Sequence, residues 1–162
     1  MVVMLGSVWE FGDDINTDIL APGIYIKRPI NILARHCMET VDKNFSKNVK
    51  VGDYILAGKN FGIGSSREQA AQVLKELGIS AVIAKSFGGI FYRNSFNLGL
   101  PAVLIRNEIL VKQGDRIHLN TETGCIYNET RKTEMFVEMI PDNLLALVKA
   151  GGLVAQLEAS LR

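Results

Sequence analysis

Two adjacent hydroxyls and a guanidinium stand in the stretch Asn60-Phe61-Gly62-Ile63-Gly64-Ser65-Ser66-Arg67-Glu68-Gln69. The glycines ahead of them leave the backbone free to turn its N–H groups toward one point. Ala70, Val73, Leu74 and Leu77 then recur at helical spacing. A strand, a flexible loop and a helix N-terminus offer several unpaired N–H donors to an anion. Arg67 is expected in the first helical turn, where the helix dipole disfavours a cation. A bound carboxylate or phosphate would remove that conflict, and a serine beside it could do chemistry on the bound molecule. The bland alternative is a helix cap, since Ser66-x-x-Gln69 and Ser65-x-x-Glu68 both fit the capping box.

The elements around this loop are readable from pattern. Tyr54-Ile55-Leu56-Ala57 reads as the preceding strand and Ile79 to Ala84 as the following one, with the helix between them stopping at Gly78. Residues 51–84 therefore form a βαβ unit with parallel pairing. Ser86 to Leu98 looks helical in its second half, and Pro101 to Ile105 supplies another buried strand. Ahead of this unit, Val3 to Phe11 reads as an opening strand. Asp14-Ile15-Asn16-Thr17-Asp18 reads as a structured turn, and Pro29 as the first turn of a short helix reaching about Glu39. Asp42 to Lys50 is polar and reads as a surface connection. Beyond residue 106, Arg116–Asn120, Cys125–Asn128 and Thr133–Ile140 are short strands with a hairpin turn at Thr121–Gly124. Asp142 is placed to cap a final helix that Gly151-Gly152 breaks. Val49-Lys50-Val51-Gly52-Asp53 is echoed by Val111-Lys112-Gln113-Gly114-Asp115, each a turn feeding a strand.

Composition narrows the classes. At 162 residues, with 48% hydrophobic and 22% charged residues and a net charge of +1, the chain suits one α/β domain. The charge balance gives no footprint for nucleic acid or an anionic membrane. No membrane span or signal peptide is readable, so the expected location is the cytoplasm. Cys37 and Cys125 lack Cys-x-x-Cys spacing and read as thiols without a role. His36 and His118 read as structural or surface residues. A dinucleotide fingerprint fails because Arg67 stands where a third glycine is needed. A P-loop fails for want of Gly-Lys-Ser/Thr, and a nucleophile elbow for want of Gly-x-Ser-x-Gly.

Three segments in order carry a resemblance: Asp13–Asp18, Gly58–Gln69 and Ala84-Lys85-Ser86-Phe87-Gly88-Gly89-Ile90-Phe91-Tyr92-Arg93-Asn94. Together they resemble the small subunits of 3-isopropylmalate dehydratase and of archaeal-type homoaconitase, relatives of the C-terminal swivelling domain of aconitase. The resemblance covers nearly the whole chain. It implies a three-layer β/β/α fold, with residues 1–162 as a single swivel domain. Residues 51–105 would be its βαβ core, and 106–162 its hairpin region and C-terminal helix. It implies dehydration and rehydration of a hydroxy acid in leucine biosynthesis, with a [4Fe–4S] cluster held by a large subunit and none held by this chain alone. The pair would be a heterodimer or heterotetramer acting on a small dicarboxylate or tricarboxylate.

By the same resemblance Ser65 is the base that takes a proton from carbon. Ser66, Arg67, Asp18, Lys27 and Arg28 contact substrate. A serine hydroxyl is a very poor base unless its alkoxide is strongly stabilised, and loop N–H groups with a guanidinium could do that. Lys27 and Arg28 fall in the loop that sorts substrates in this family, where homoaconitases carry Tyr-Leu-Arg-Thr and one isopropylmalate type Tyr-Leu-Val-Tyr. Tyr25-Ile26-Lys27-Arg28 matches neither. A cation there favours a further carboxylate, although a lysine stem can also pack on an apolar group. Gly89 stands where the family commonly has arginine, with Lys85 and Arg93 near enough to compensate. Homocitrate and citramalate or dimethylmalate chemistry are the alternatives within the family. A non-catalytic carboxylate- or phosphate-binding module is the alternative outside it.

Overall fold

The computed structural model describes residues 4–162. Seven strands form one sheet in the order β4-β3-β2-β1-β5-β6-β7. They are β1 (Gly6–Glu10), β2 (Tyr54–Ala57), β3 (Ala81–Ala84), β4 (Ala102–Leu104), β5 (Arg116–Asn120), β6 (Cys125–Asn128) and β7 (Thr133–Phe136). The β1–β4 half is parallel and the β5–β7 half antiparallel, joined where β1 pairs with β5. Just past β7 the Glu138 N–H donates to the Leu104 carbonyl of β4 at 2.9 Å, so the sheet curls until its edges meet.

Curling makes three layers. Ile55, Ala57, Val82 and Ala84 face a core shared with the helices, together with Leu20, Leu33, Phe45, Val73 and Leu74. Tyr54, Leu56, Ala81 and Ile83 face a second core against Ile117, Leu119, Ile126 and Met135 of the antiparallel half. Strands buried on both faces read as unbroken apolar runs, which is why β2 and β3 stood out in sequence. The Tyr54 hydroxyl spans the second core, donating to the Met4 carbonyl at 2.8 Å and accepting from the Leu119 N–H at 3.2 Å. Burial pushes its pKa up to about 12.

The helices are α1 (Thr17–Leu20), α2 (Ile30–Ala34), α3 (Phe45–Asn48), α4 (Gln69–Glu76), α5 (Gly89–Asn97), α6 (Asp142–Ala150) and α7 (Leu153–Ser160). Several boundaries differ from expectation. Val3 lies outside the described residues, and the opening strand begins at Gly6. Pro29 sits at the N-cap of α2, which stops at Ala34 and gives way to turns instead of reaching Glu39. The polar Asp42–Lys50 segment is no mere surface connection. It folds as α3 to drive Phe45 fully into the core against Trp9 and Phe11. Asp142 opens α6 without capping it, Pro141 taking the N-cap. Among the described residues no helix is long and apolar enough to cross a membrane.

Candidate active site

The three motif segments leave the same ends of β1, β2 and β3, the carboxyl ends of neighbouring parallel strands, where open α/β sheets place their ligands. Backbone bonds stitch them together. Gly62 N–H donates to the Ile15 carbonyl at 2.7 Å and Thr17 N–H to the Ile63 carbonyl at 2.9 Å. In the segment that follows β3, the Ser86 carbonyl accepts from Phe61 N–H at 3.0 Å and Gly88 N–H donates to the Phe61 carbonyl at 2.9 Å. Asn60 and Asp14 are both held at positive φ, and the Asn60 amide donates to the Asp14 carboxylate at 2.8 Å.

These bonds pull the serine loop away from the helix. The capping-box expectation is corrected: α4 begins at Gln69, with Glu68 at its N-cap and no side chain capping it. Arg67 therefore precedes the helix instead of occupying its first turn. Gly64 explains the detour. Its φ is +126°, and a Cβ there would lie 2.7 Å from the Thr17 Oγ1. Glycine lets the loop close onto Thr17 in a backbone conformation that side chains disfavour.

Ser65 and Ser66 are exposed. The Ser65 N–H donates to Thr17 Oγ1 at 3.1 Å, and the two hydroxyl oxygens are 3.3 Å apart. Among the described residues the N–H groups of Ser66, Arg67 and Glu68 have no acceptor, and neither has the Ser66 hydroxyl. Several consecutive unpaired donors beside an exposed hydroxyl make a concave, electropositive lip.

Arg67 already has a carboxylate. Its Nη1 donates to Asp18 Oδ1 at 2.9 Å and to the Ala21 carbonyl at 3.0 Å. The cation that seemed to call for a bound anion is matched from within the chain. Both Nη1 protons are thereby used, which leaves the Nε–Nη2 edge without a partner among the described residues. That edge is the one that grips a carboxylate with two parallel bonds. Asp18 Oδ1 also accepts from Gly23 N–H at 2.9 Å. The Arg67 hydrogen bond, with Gly23 behind it, holds the Asp18 carboxyl below its ordinary pKa. Asp18 thus ties Arg67 to the turn at Gly23, while its side chain is still 70% exposed.

The turn at Gly23–Tyr25 leads to Lys27 and Arg28, both exposed and neither making an ion pair or side-chain hydrogen bond among the described residues. Tyr25 anchors this loop by stacking on His36, ring centroids 3.6 Å apart, and His36 Nδ1 lies 2.8 Å from Glu39. His36 therefore has a structural use. Among the described residues no hydrogen bond or ion pair joins Lys27 or Arg28 to Ser65. Gly89 has no atom within 4 Å of where a Cβ would stand. It lines a cavity of about 440 Å3 with Lys85, Arg93 and Arg106, so the two proposed compensating cations do share one space.

The donor set does not suit an iron–sulfur cluster. Cys37 is buried, with its thiol pKa pushed up by desolvation, and Cys125 lies on β6. Among the described residues no three His, Cys, Asp or Glu side chains converge as metal ligands. Thr17, whose hydroxyl lies 3.3 Å from that of Ser65, was not singled out by sequence reasoning. The only signal was its place between Asn16, which caps α1 through Ile19 N–H, and Asp18.

A profile of the aconitase C-terminal domain matches residues 17–108. The chain is 48% identical to 3-isopropylmalate dehydratase small subunit 2 of Archaeoglobus fulgidus, over 94% of this chain and 93% of that protein. It is 41% identical to the methanogen homoaconitase small subunit of Methanothermobacter thermautotrophicus, over 94% of this chain and 89% of that protein. A crystal structure of 3-isopropylmalate dehydratase from Methanocaldococcus jannaschii superposes with a TM-score of 0.92 at 41% identity, covering 99% of this chain and 96% of that one.

Proposed function

The chain belongs to the aconitase C-terminal domain family, among the small subunits of 3-isopropylmalate dehydratase and homoaconitase, and on that premise we propose that it is the 3-isopropylmalate dehydratase member. It acts as a hydro-lyase small subunit, interconverting 2-isopropylmalate and 3-isopropylmalate by removing water and adding it back on the route to leucine. The observation that carries this reading is the exposed Ser65 hydroxyl set beside unpaired N–H groups.

Ser65, its own hydroxyl proton first released to water, takes the proton from the substrate carbon next to the departing hydroxyl. The O–H bond forms, the C–H bond breaks and the electron pair stays on the substrate. The N–H groups of Ser66 and Arg67 supply the positive potential that makes a serine oxygen basic enough. Arg67 grips a substrate carboxylate through its free Nε–Nη2 edge, and Asp18 keeps that edge pointed outward by holding Nη1. Ser66 adds a neutral donor, and Lys27 and Arg28 meet the variable arm of the substrate.

A partner completes the site. The reading rests on a large subunit whose [4Fe–4S] cluster would supply the Lewis acid for the leaving hydroxyl, since among the described residues no side chains converge to hold one. Ile63 and Ile90, exposed by 44% and 42%, rise from the second and third motif segments, and Ile24, exposed by 83%, from the Gly23–Tyr25 turn. An apolar fringe around a polar site suits burial against another chain.

One observation favours homoaconitase chemistry as the second reading: Lys27 and Arg28 are free to meet an additional carboxylate. The deciding experiment mixes the chain with its cluster-bearing large subunit under anaerobic conditions. Absorbance of the unsaturated intermediate is followed with isopropylmalate, homocitrate and citramalate. Isopropylmalate gives the highest kcat/KM, and Ser65→Ala lowers kcat by at least about 10²-fold with substrate still bound. Full turnover by Ser65→Ala refutes the base assignment, and faster turnover of homocitrate shifts the substrate to the second reading. Anion binding without any turnover in the complex leaves a binding module.

A further inference from the structure

We propose that Thr17 is a positioning residue for the Ser65 base, its hydroxyl donating to the Ser65 oxygen and holding that oxygen, as the anion, toward the substrate. The inference rests on the reading of Ser65 given above and adds the group that controls it.

The hydrogen-bond inventory fixes the direction of the proton. Thr17 Oγ1 is only 4% exposed by residue and accepts the Ser65 N–H at 3.1 Å. A hydroxyl has one proton to give, and among the described residues the only other partner of this one is Ser65 Oγ at 3.3 Å. Were Ser65 the donor, the buried Thr17 proton would have no acceptor, which is unfavourable. With Thr17 as donor, both hydroxyls are satisfied, because the exposed Ser65 proton can reach water or substrate.

The long separation is informative. A charge-assisted O–H···O⁻ bond is about 2.5–2.7 Å long, well short of 3.3 Å. The bond therefore tightens when Ser65 becomes anionic, and an interaction stronger in the reactive form accelerates the reaction instead of merely binding. The Thr17 proton itself does not transfer. It stays on Oγ1 while Ser65 gains the substrate proton.

Three features keep Thr17 available for this task. Asn16 caps α1 through Ile19 N–H, so the threonine hydroxyl is not spent on the helix end. Thr17 N–H is bonded to the Ile63 carbonyl, which locks its backbone to the serine loop. Gly64 keeps a Cβ out of the gap, where it would stand 2.7 Å from Oγ1.

The test uses the reconstituted two-subunit complex with isopropylmalate and compares Thr17→Ser with Thr17→Ala. These variants lose the same methyl group and differ only by the hydroxyl, so they share any packing defect. Thr17→Ala should lower kcat about 10²- to 10³-fold relative to Thr17→Ser, the usual cost of losing one donor to a developing oxyanion, with KM within about threefold. Its kcat/KM profile should also rise at higher pH than that of Thr17→Ser, since the unassisted Ser65 ionises less readily. Thr17→Val, which keeps the volume, should behave as Thr17→Ala. Equal kcat and superimposable pH profiles for Thr17→Ser and Thr17→Ala overturn the inference and leave Thr17 a packing residue. Ser65→Ala in the same assay separates the two claims. If it retains turnover, the base reading itself fails. If it is inactive while Thr17→Ala matches Thr17→Ser, the Thr17 inference alone fails.

Discussion

Gly64→Ala is the sharpest probe of how the site is held. The new Cβ would stand 2.7 Å from Thr17 Oγ1, so the loop and α1 must separate by about 0.7 Å to reach the 3.4 Å of an ordinary contact. Opening by that amount lengthens the 3.1 Å bond from Ser65 N–H beyond hydrogen-bonding range. The φ of +126° adds backbone strain of about 1–3 kcal/mol for a residue with a side chain. Together with the lost hydrogen bond, the total is about 2–4 kcal/mol, or a Tm drop of about 4–16 °C for a chain of this size. The activity loss should be larger than stability explains. A displacement approaching 1 Å at a reacting oxygen costs about 10²-fold in rate. Thermal melting of the chain and steady-state kinetics of the complex measure the two effects separately. Gly89→Ala is the control, with no atom within 4 Å of its Cβ and no positive φ, and it should leave both Tm and kcat unchanged. The reasoning is refuted if Gly64→Ala keeps kcat within threefold of the parent, or if Gly89→Ala is equally damaging.

Three further outcomes follow from other contacts. Asp18→Ala frees Nη1 of Arg67 and should raise KM for substrate by about tenfold while moving stability by less than about 1 kcal/mol, because the pair is solvent-exposed. Steady-state kinetics alongside thermal melting check it. Asp115 governs acid sensitivity. Burial acts to raise its pKa, but hydrogen bonds from Arg131, Asn128 and the Lys112 N–H more than offset this and leave it below the ordinary carboxylate value. A depressed folded-state pKa means its stabilisation is complete above the unfolded value and drains away as pH falls through the folded one. Tm measured from pH 6 downward should therefore fall less steeply in Asp115→Asn than in the parent. Ile63→Asp should weaken association with the large subunit at least about tenfold, measured by sedimentation, with Tm of the isolated chain unchanged, since the side chain is 44% exposed.

What the sequence disclosed and concealed divides along the range of the interactions. β2 and β3 were legible because burial on both faces leaves short apolar runs, bounded here by Gly58 and Gly78. The break between α6 and α7 at Gly151-Gly152 was legible too, since the φ of +87° at Gly151 suits glycine. Phe45 was hidden because a single aromatic in a polar segment makes no periodic pattern, although it fills the space between Trp9 and Phe11. The capping box misled because local hydrogen bonding lost to a tertiary one. Ser65 N–H reaches Thr17, 48 residues away, in place of turning back onto its own helix. The Arg67–Asp18 pair was hidden for a related reason, its two members lying 49 residues apart in sequence.

The two ends of the parallel strands treat polar groups in opposite ways, and the contrast bears on function. Where β1 and β2 begin, Asp53 is buried and accepts from Ser7 N–H, Trp9 Nε1 and Lys50 N–H. Its echo Asp115 is buried with donors from Lys112, Asn128 and Arg131, while the backbones of Gly114 and Asp115 both bond Val8. These donors converge on the two buried carboxylates, so this end contributes stability by pinning the central strand. At the opposite end the loop N–H groups of Ser66, Arg67 and Glu68 have no acceptor among the described residues and stand beside exposed isoleucines. Water satisfies such donors in the isolated chain, and burying them later without acceptors would be unfavourable. An apolar fringe therefore fits a partner only if that partner delivers acceptors to its centre. A carboxylate-bearing substrate trapped between the two chains would meet this condition, and on the function proposed above it would tie docking of the subunits to occupancy of the site.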